Sequence, residues 1–312
     1  MGEKTALVTG GAGFIGSWLC ERLVSDGFRV ICVDNVGSGI KKNVSHLFKE
    51  KNFRFIEHDV REPIHVGGRV DYVFNLASRA SPADFDRYAV EILMTNSLGT
   101  RNALELAREK RARFLLASSS EVYGEPLEHP QKETYRGNVS TTGPRSPYDE
   151  SKRFAEALSY AYFRSYGVDV RIARIFNTYG PRMRRNDGRV IPNFIAQALN
   201  GRPITVYGDG SQTRSFCYVG DLIEGLMRLM LKDGLSGEIV NLGNPDEITI
   251  LEVARLVKRL TNSKSRIVFK PLPKDDPVRR RPDISRAKKL LGWEPKISLE
   301  MGLLETIEYF RK

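Results

Sequence analysis

The chain is poor in the residues that hold metals or build disulfide frames. Its three cysteines, Cys20, Cys32 and Cys217, are scattered through 312 residues, each inside an apolar segment. They read as buried, reduced thiols. His46, His58, His65 and His129 are equally dispersed, so no ligand set for a metal is expected. Long apolar runs are missing as well. Nothing approaches the ~20 residues that span a bilayer, and a strand-like run begins almost at Met1, which leaves no room for a leader or anchor. The expectation is a cytoplasmic protein without membrane contact. No repeat, linker or low-complexity segment interrupts the chain. With 41% hydrophobic and 28% charged residues, its composition is that of an ordinary globular protein of one large or two small domains.

Charge is the one compositional excess, at +11. Its densest clusters are Arg182-Met183-Arg184-Arg185 and Arg279-Arg280-Arg281. Neither forms a long basic helix or an aromatic-interleaved stripe, so nucleic acid is not expected as a partner. The excess reads as solvated surface, with a few arginines kept for a small phosphorylated ligand.

A nucleotide site opens the chain. Thr5–Thr9 reads as a short buried strand that runs into Gly10-Gly11-Ala12-Gly13-Phe14-Ile15-Gly16 and then a helical pattern through Trp18, Leu19, Leu23 and Val24. Glycines at 10, 13 and 16 allow a tight turn, close approach of backbone to a pyrophosphate, and close helix-on-strand packing. The helix N-terminus then faces the phosphates. A second strand, Arg29–Val33, ends in Asp34. An acid there binds a ribose 2′-hydroxyl and repels a 2′-phosphate, which favours NAD over NADP.

Further strands are expected at 53–56, 72–76, 114–117 and 170–173, with helical patterns near 87–109 and 149–166. Such alternation predicts an α/β fold with a Rossmann-type, doubly wound parallel sheet. Ligands of such sheets lie beyond the carboxyl ends of the strands, where Asp34, Asp59, Ala77, Ser119 and Asn177 all fall. Residues 1–178 are expected to form the NAD-binding domain, with a return segment near 215–245. Residues 179–312, richer in Gly and Pro punctuation, are expected to form mainly a smaller, discontinuous ligand-binding lobe. The helix after Tyr148 has apolar groups on more than one stripe, which predicts a homodimer through the 87–109 and 149–166 helices.

The chemistry is concentrated between Ser118 and Lys152. Tyr148 and Lys152 stand four apart and share one helical face. A free phenol, with pKa near ~10, is a poor base at neutral pH. A cation about 4 Å away, at an effective dielectric of about 20, favours the phenolate by up to roughly 4 kcal/mol. Ser119 supplies a hydrogen bond to a substrate hydroxyl, and Glu121 is an additional acid. Asp149 and Glu150 read as helix N-terminal charges.

Together, the glycine turn, Asp34-Asn35, Tyr148-x-x-x-Lys152 and Arg174-Ile175-Phe176-Asn177-Thr178-Tyr179-Gly180-Pro181-Arg182 resemble the extended short-chain dehydrogenase/reductases that act on nucleotide sugars. Within them the chain is most similar to the UDP-glucuronate decarboxylases. That likeness is carried by Ser118-Ser119-Ser120-Glu121-Val122-Tyr123-Gly124, Asn186-Asp187-Gly188-Arg189-Val190, Val206–Arg214 and Asp275-Asp276-Pro277 followed by Arg280. Sugar 4,6-dehydratases of the dTDP-glucose type resemble it less, because they carry Asp-Glu where this chain has Ser120-Glu121. Two positions depart from the decarboxylase pattern: Arg79 stands where a Pro is usual, and Met94 where a Lys is usual.

The resemblance implies a role for each group. Tyr148, with Lys152 and Ser119, takes a proton from the sugar 4-hydroxyl while NAD is reduced, carbon dioxide leaves the 4-keto sugar, and NAD is regenerated. Glu121 orders a water that returns a proton to C5. NAD lies on Gly10, Gly13, Phe14, Ile15, Gly16 and Asp34. Asn35, Ser38, Gly39, Asp59 and Val60 extend that site, as do Leu76, Ala77, Ser78, Asn96 and Ile175. Arg79, Asn177, Arg189 and Val190 face the UDP-sugar with Thr205, Tyr207, Gln212, Arg214 and Arg280. UDP-sugar 4-epimerisation, nucleotide-sugar dehydration and non-catalytic NAD sensing stay open beside decarboxylation.

Overall fold

The computed structural model describes residues 4–272 and 279–312. The Asp275-Asp276-Pro277 motif lies outside the described residues. β1 (Thr5–Thr9) leads through the glycine turn into α1 (Phe14–Ser25), and β2 (Arg29–Asp34) and β3 (Phe53–Glu57) follow. β4 (Tyr72–Asn75) precedes α2 (Ala89–Met94), which continues through a π turn at Thr95–Gly99 into α3 (Thr100–Lys110). Next come β5 (Arg113–Ser119), α4 (Ser146–Tyr166) and β6 (Val170–Ile175). The strands form one parallel sheet in the order β6-β5-β4-β1-β2-β3, and Ile239–Leu242 returns to pair beside β6. The expected doubly wound parallel sheet is therefore present.

Near-continuous apolar strands form because both faces are covered. Leu7, Val73, Phe114 and Ile172 pack on one side with Ala103, Leu104 and Ala155. Ala6, Val8, Phe74 and Leu115 pack on the other with Leu19, Leu23 and Leu226. The order reverses between β1 and β4, which opens a crevice at the carboxyl ends of these strands.

The later part of the chain makes small sheets above that crevice. Ile204–Tyr207 pairs with Ile267–Lys270. Thr213–Ser215 pairs with Glu247–Thr249 on one side and with Arg279–Arg280 on the other, in a register that sets Arg280 against Arg214. Among the described residues no helix is long and apolar enough to cross a membrane.

Candidate active site

At the switch between β1 and β4 the backbone leaves room that only glycine permits. A Cβ on Gly10, whose φ is +68°, would stand 2.8 Å from Ala77 backbone atoms. One on Gly16 would stand 2.1 Å from the Gly10 carbonyl. α1 starts directly after this turn, and no side chain caps it, so its N-terminal dipole is left to an anion. Asp34 is buried at the end of β2, accepting from the Ala12 and Val36 amides at 2.9 and 2.8 Å. Its carboxyl is pushed up by burial, against those two amide bonds. Asn35 donates to Asp59 at 3.0 Å, and the Arg61 guanidinium holds Asp59 well below the usual carboxylate range. These features fit a dinucleotide: a glycine cradle, an uncapped helix for phosphates, and an acid at the ribose end.

A single cleft of about 480 Å³ runs from this cradle to the later lobe. It brings together the four expected chemical groups, Ser119, Glu121, Tyr148 and Lys152. On the dinucleotide side it is lined by Gly10, Gly13, Phe14, Ile15, Gly16, Asp34, Asn35, Ser38, Asp59 and Val60, and by Leu76, Ala77, Ser78 and Ile175. On the other side it is lined by Asn177, Arg189, Val190, Thr205, Tyr207, Gln212, Arg214 and Arg280, whereas Arg79, expected with these, lines the cleft with its Nη2 against the Gly37 loop after β2. Gly39 and Asn96 stand behind the wall. Gly39 packs on the glycine turn, where a Cβ would lie 2.7 Å from the Ala12 backbone. Asn96 is buried and donates to Ser151 at 3.0 Å, tying the π turn to α4.

β5 delivers Ser119 at its last residue, and the chain turns sharply through Ser120–Tyr123. The Ser119 hydroxyl oxygen accepts the Glu121 amide at 3.2 Å, and the same hydroxyl bonds to the Tyr148 phenol oxygen. Tyr148 sits in the first turn of α4, stacked on Phe85 with centroids 5.1 Å apart. Burial pushes its phenol up to about 12, while Ser119 and Arg189 pull the other way. Burial thus outweighs every lowering influence on the phenol. Lys152 donates to the Ala117 carbonyl at 2.9 Å, and its ammonium lies 5.7 Å from the Tyr148 ring centre. Four-residue spacing put the two on one face, but the buried ammonium turns to the strand carbonyl that satisfies it. Burial lowers Lys152 to about 8.

Glu121 is ringed by guanidinium groups. Arg280 is 1% exposed and donates to Glu121 at 3.1 Å, to the Ser120 carbonyl at 2.5 Å and to the Gly124 carbonyl at 2.9 Å. Arg145 donates to the other Glu121 oxygen. Burial alone would raise Glu121, but Arg280, Arg145 and Arg214 outweigh it and hold the carboxyl at about 2. Arg145 escaped the sequence reading. Its signal was local: it precedes Tyr148 by three residues and Asp149 by four, one helical turn.

Asp149 stands in the first turn of α4, as expected, and its carboxyl is buried, 3.9 Å from the Arg145 Nε. Burial and the neighbouring Glu121 push it up to about 8. The N-terminal turn of α4 packs onto the Ser120–Tyr123 turn, and that contact removes the water on which a surface acid depends. Glu150 does face outward, 3.8 Å from Arg153.

Beneath the cleft, Arg174 on β6 holds Glu156 of α4 at 2.9 and 2.7 Å, and Ser118 donates to the same carboxylate at 2.5 Å. This buried pair clamps β5, β6 and α4 together under the four groups above it.

Comparison with known proteins agrees over almost the full chain. The sequence model of the GDP-mannose 4,6 dehydratase family matches residues 7–306. UDP-glucuronic acid decarboxylase 1 of Danio rerio is 55% identical over 310 residues, covering 99% of this chain and 73% of that protein. UDP-glucuronic acid decarboxylase 1 of Arabidopsis thaliana is 55% identical over 305 residues, covering 98% and 69%. Among solved structures, UDP-glucose 4-epimerase from Thermotoga maritima superposes with a TM-score of 0.90 at 33% identity, covering 98% of each chain. UDP-glucuronic acid 4-epimerase from Bacillus cereus, in complex with UDP-glucuronic acid and NAD, gives 0.88 at 27% identity over 98% of this chain and 99% of its own.

Proposed function

The chain belongs to the extended short-chain dehydrogenase/reductases that act on nucleotide sugars, and we propose that within them it decarboxylates UDP-glucuronate to UDP-xylose with NAD. The observation that carries this reading is the 55% identity, over nearly the whole chain, to decarboxylases from a vertebrate and a plant. The site supports it, because Glu121 is present and Ser120 stands where dehydratases of the dTDP-glucose type carry an acid to protonate a leaving hydroxyl.

The glycine cradle, the uncapped start of α1 and Asp34 hold NAD, and Tyr148 and Lys152 complete its wall. When bound, that group supplies the reversible hydride acceptor that interconverts the sugar C4 alcohol and ketone. Tyr148 takes the proton of the C4 hydroxyl as the alcohol becomes the ketone and returns it on reduction, and Ser119 holds the C4 oxygen in both forms. With a ketone at C4, the C5 carboxylate is β to a carbonyl, and loss of carbon dioxide leaves its electron pair on the ketone oxygen. The two hydroxyls stabilise that oxyanion, each donor contributing roughly 2.7–4 kcal/mol. Glu121, ionised between its arginines, orients a water that protonates C5. The UDP moiety rests on Asn177, Arg189, Val190, Thr205, Tyr207, Gln212, Arg214 and Arg280. Residues 1–178 with the 215–245 return form the cofactor-binding part, and 179–312 mainly the sugar-nucleotide lobe.

The chain works as a homodimer. Val90, Leu93, Met94 and Leu98 form one exposed apolar stripe, 67% exposed at Val90, and Phe154 of α4 is 50% exposed. Light scattering on the purified protein tests this; a monomer at micromolar concentration overturns it. Three free, buried cysteines suit the reducing cytoplasm.

Incubation with UDP-glucuronate and NAD should release carbon dioxide and UDP-xylose, followed by gas capture and nucleotide-sugar chromatography. UDP-galacturonate without carbon dioxide would assign the chain to 4-epimerisation instead.

A further inference from the structure

Arg79 is the feature that the decarboxylation reading leaves unused. It follows β4 and lines the cleft, yet its surroundings belong to the dinucleotide end. Its guanidinium lies over the Tyr88 ring, 3.9 Å from the centroid, and its Nε is 3.4 Å from Glu91. Its Nη2 reaches the loop after β2, so close that a Cβ on Gly37 would stand 3.0 Å from it. That loop is itself laid on the glycine turn: Ile40 donates to the Ala12 carbonyl at 3.1 Å, and Asn43 to the same oxygen at 3.0 Å. Gly37 donates to Asn35, the neighbour of Asp34. Arg79 thus crosses the crevice from the β4 side to the β2 side, beside the acid that marks the ribose. Only 13% of its side chain is exposed.

A guanidinium stacked on an aromatic face and paired with a carboxylate is pre-organised, so little freedom is lost when it closes on a ligand. We propose that Arg79 is a clasp that retains NAD, closing the dinucleotide end of the cleft between Gly37 and the Tyr88–Glu91 shelf. The inference rests on the reading that this cleft holds NAD. A cofactor regenerated in every cycle need never leave, so a clasp that slows release does not slow turnover. Tyr88 and Glu91 act through Arg79 as positioning residues.

The test is NAD release from the full chain. Protein loaded with NAD is diluted into an NAD-consuming scavenger system, and the dissociation rate is followed for wild type, R79A, R79K and E91Q. R79A should release NAD roughly tenfold faster, the size of one desolvated cation contact. R79K, which keeps the charge and loses the planar fork, should fall between R79A and wild type, and so should E91Q. Circular dichroism and melting of each variant separate release from misfolding, and R79K and E91Q carry the test if R79A does not fold. An unchanged release rate in folded R79A overturns the clasp. So does a raised KM for UDP-glucuronate with unaltered NAD release, which would make Arg79 a contact of the sugar nucleotide. Wild type that takes up no NAD at all overturns the cofactor reading, and the clasp with it.

Discussion

Asp149 gives the most direct measure of the electrostatics around the catalytic turn. Asparagine in its place keeps the shape and removes the titration. The wild-type carboxyl is pushed up to about 8 by burial and then by the charge of Glu121, while Arg145 and Arg280 oppose both and Glu150 adds to them. In an unfolded chain it titrates near 3.8. The folded value is the higher one, so the folded protein holds more protons between the two. Asp149 therefore favours folding fully below about 3.8, less as pH rises, and levels off above about 8. Between pH 5 and about 8, roughly three units at about 1.4 kcal/mol each set an upper figure of roughly 4 kcal/mol. Relaxation and water entry around a buried charge bring the measurable effect to about 2–3 kcal/mol. At about 2 °C per kcal/mol for a chain of this size, that is about 5 °C. Glu121 does not confuse the window. Its carboxyl is depressed to about 2, so its contribution is present above 4.5 and lost only as pH falls toward that lower value. Melting of wild type and D149N from pH 5 to 8.5 should show the variant gaining steadily on the wild type. A difference that stays constant with pH, or one that favours the wild type at pH 8.5, refutes the placement of an acid held neutral beside Glu121.

Three further substitutions probe other parts of the site. Tyr148→Phe should lower kcat by about 10²–10⁴, while NAD binding by fluorescence titration and the melting temperature stay close to wild type. Gly10→Ala should abolish NAD binding, because its Cβ would stand 2.8 Å from the Ala77 backbone at a φ of +68°. The strain also costs about 1–3 kcal/mol, read as a lower denaturation midpoint. Arg174→Met should cost about 3–5 kcal/mol by stranding the buried Glu156 carboxylate, a fall of about 6–10 °C in Tm. The double variant R174M/E156L should recover much of that loss, since the unpaired charge is then gone.

What could be read from the sequence was whatever is encoded within one element or one turn. Apolar β1 and β4, each followed by a helical stripe, point to the parallel sheet because helices on its faces bury both sides of the strands. Gly10, Gly13 and Gly16 define the cradle because their spacing is a backbone property. Contacts made across the chain were not legible. Arg280 reaches Glu121 over 159 residues, through the pairing of Arg279–Arg280 with Thr213–Arg214. Nothing near either residue announces that pairing. The burial of Asp149 was illegible for a related reason: its place in the first turn of α4 could be read, but the packing of that turn on Ser120–Tyr123 could not.

The arginine cage narrows what Glu121 can do. A carboxylate held at about 2 stays ionised at every working pH, and it is too weak a base to take a proton from carbon. It is, however, a fixed acceptor, bonded by Arg280 and Arg145 on its two oxygens, and such a group is suited to hold a water in one orientation. Under the proposed reaction, proton movement then falls to groups nearer neutrality or to that water, and the cage would offer positive potential to the C5 carboxylate of the substrate. That potential favours binding of the carboxylate, and the turn that holds Ser119 is braced by the same Arg280. Loss of carbon dioxide removes the negative charge the cage attracts and moves it to the ketone oxygen. The driving stabilisation must therefore act at that oxygen, through Tyr148 and Ser119, rather than at the cage. Weakening the cage should accordingly raise KM for the glucuronate more than it lowers kcat, whereas removing the Ser119 hydroxyl should do the reverse.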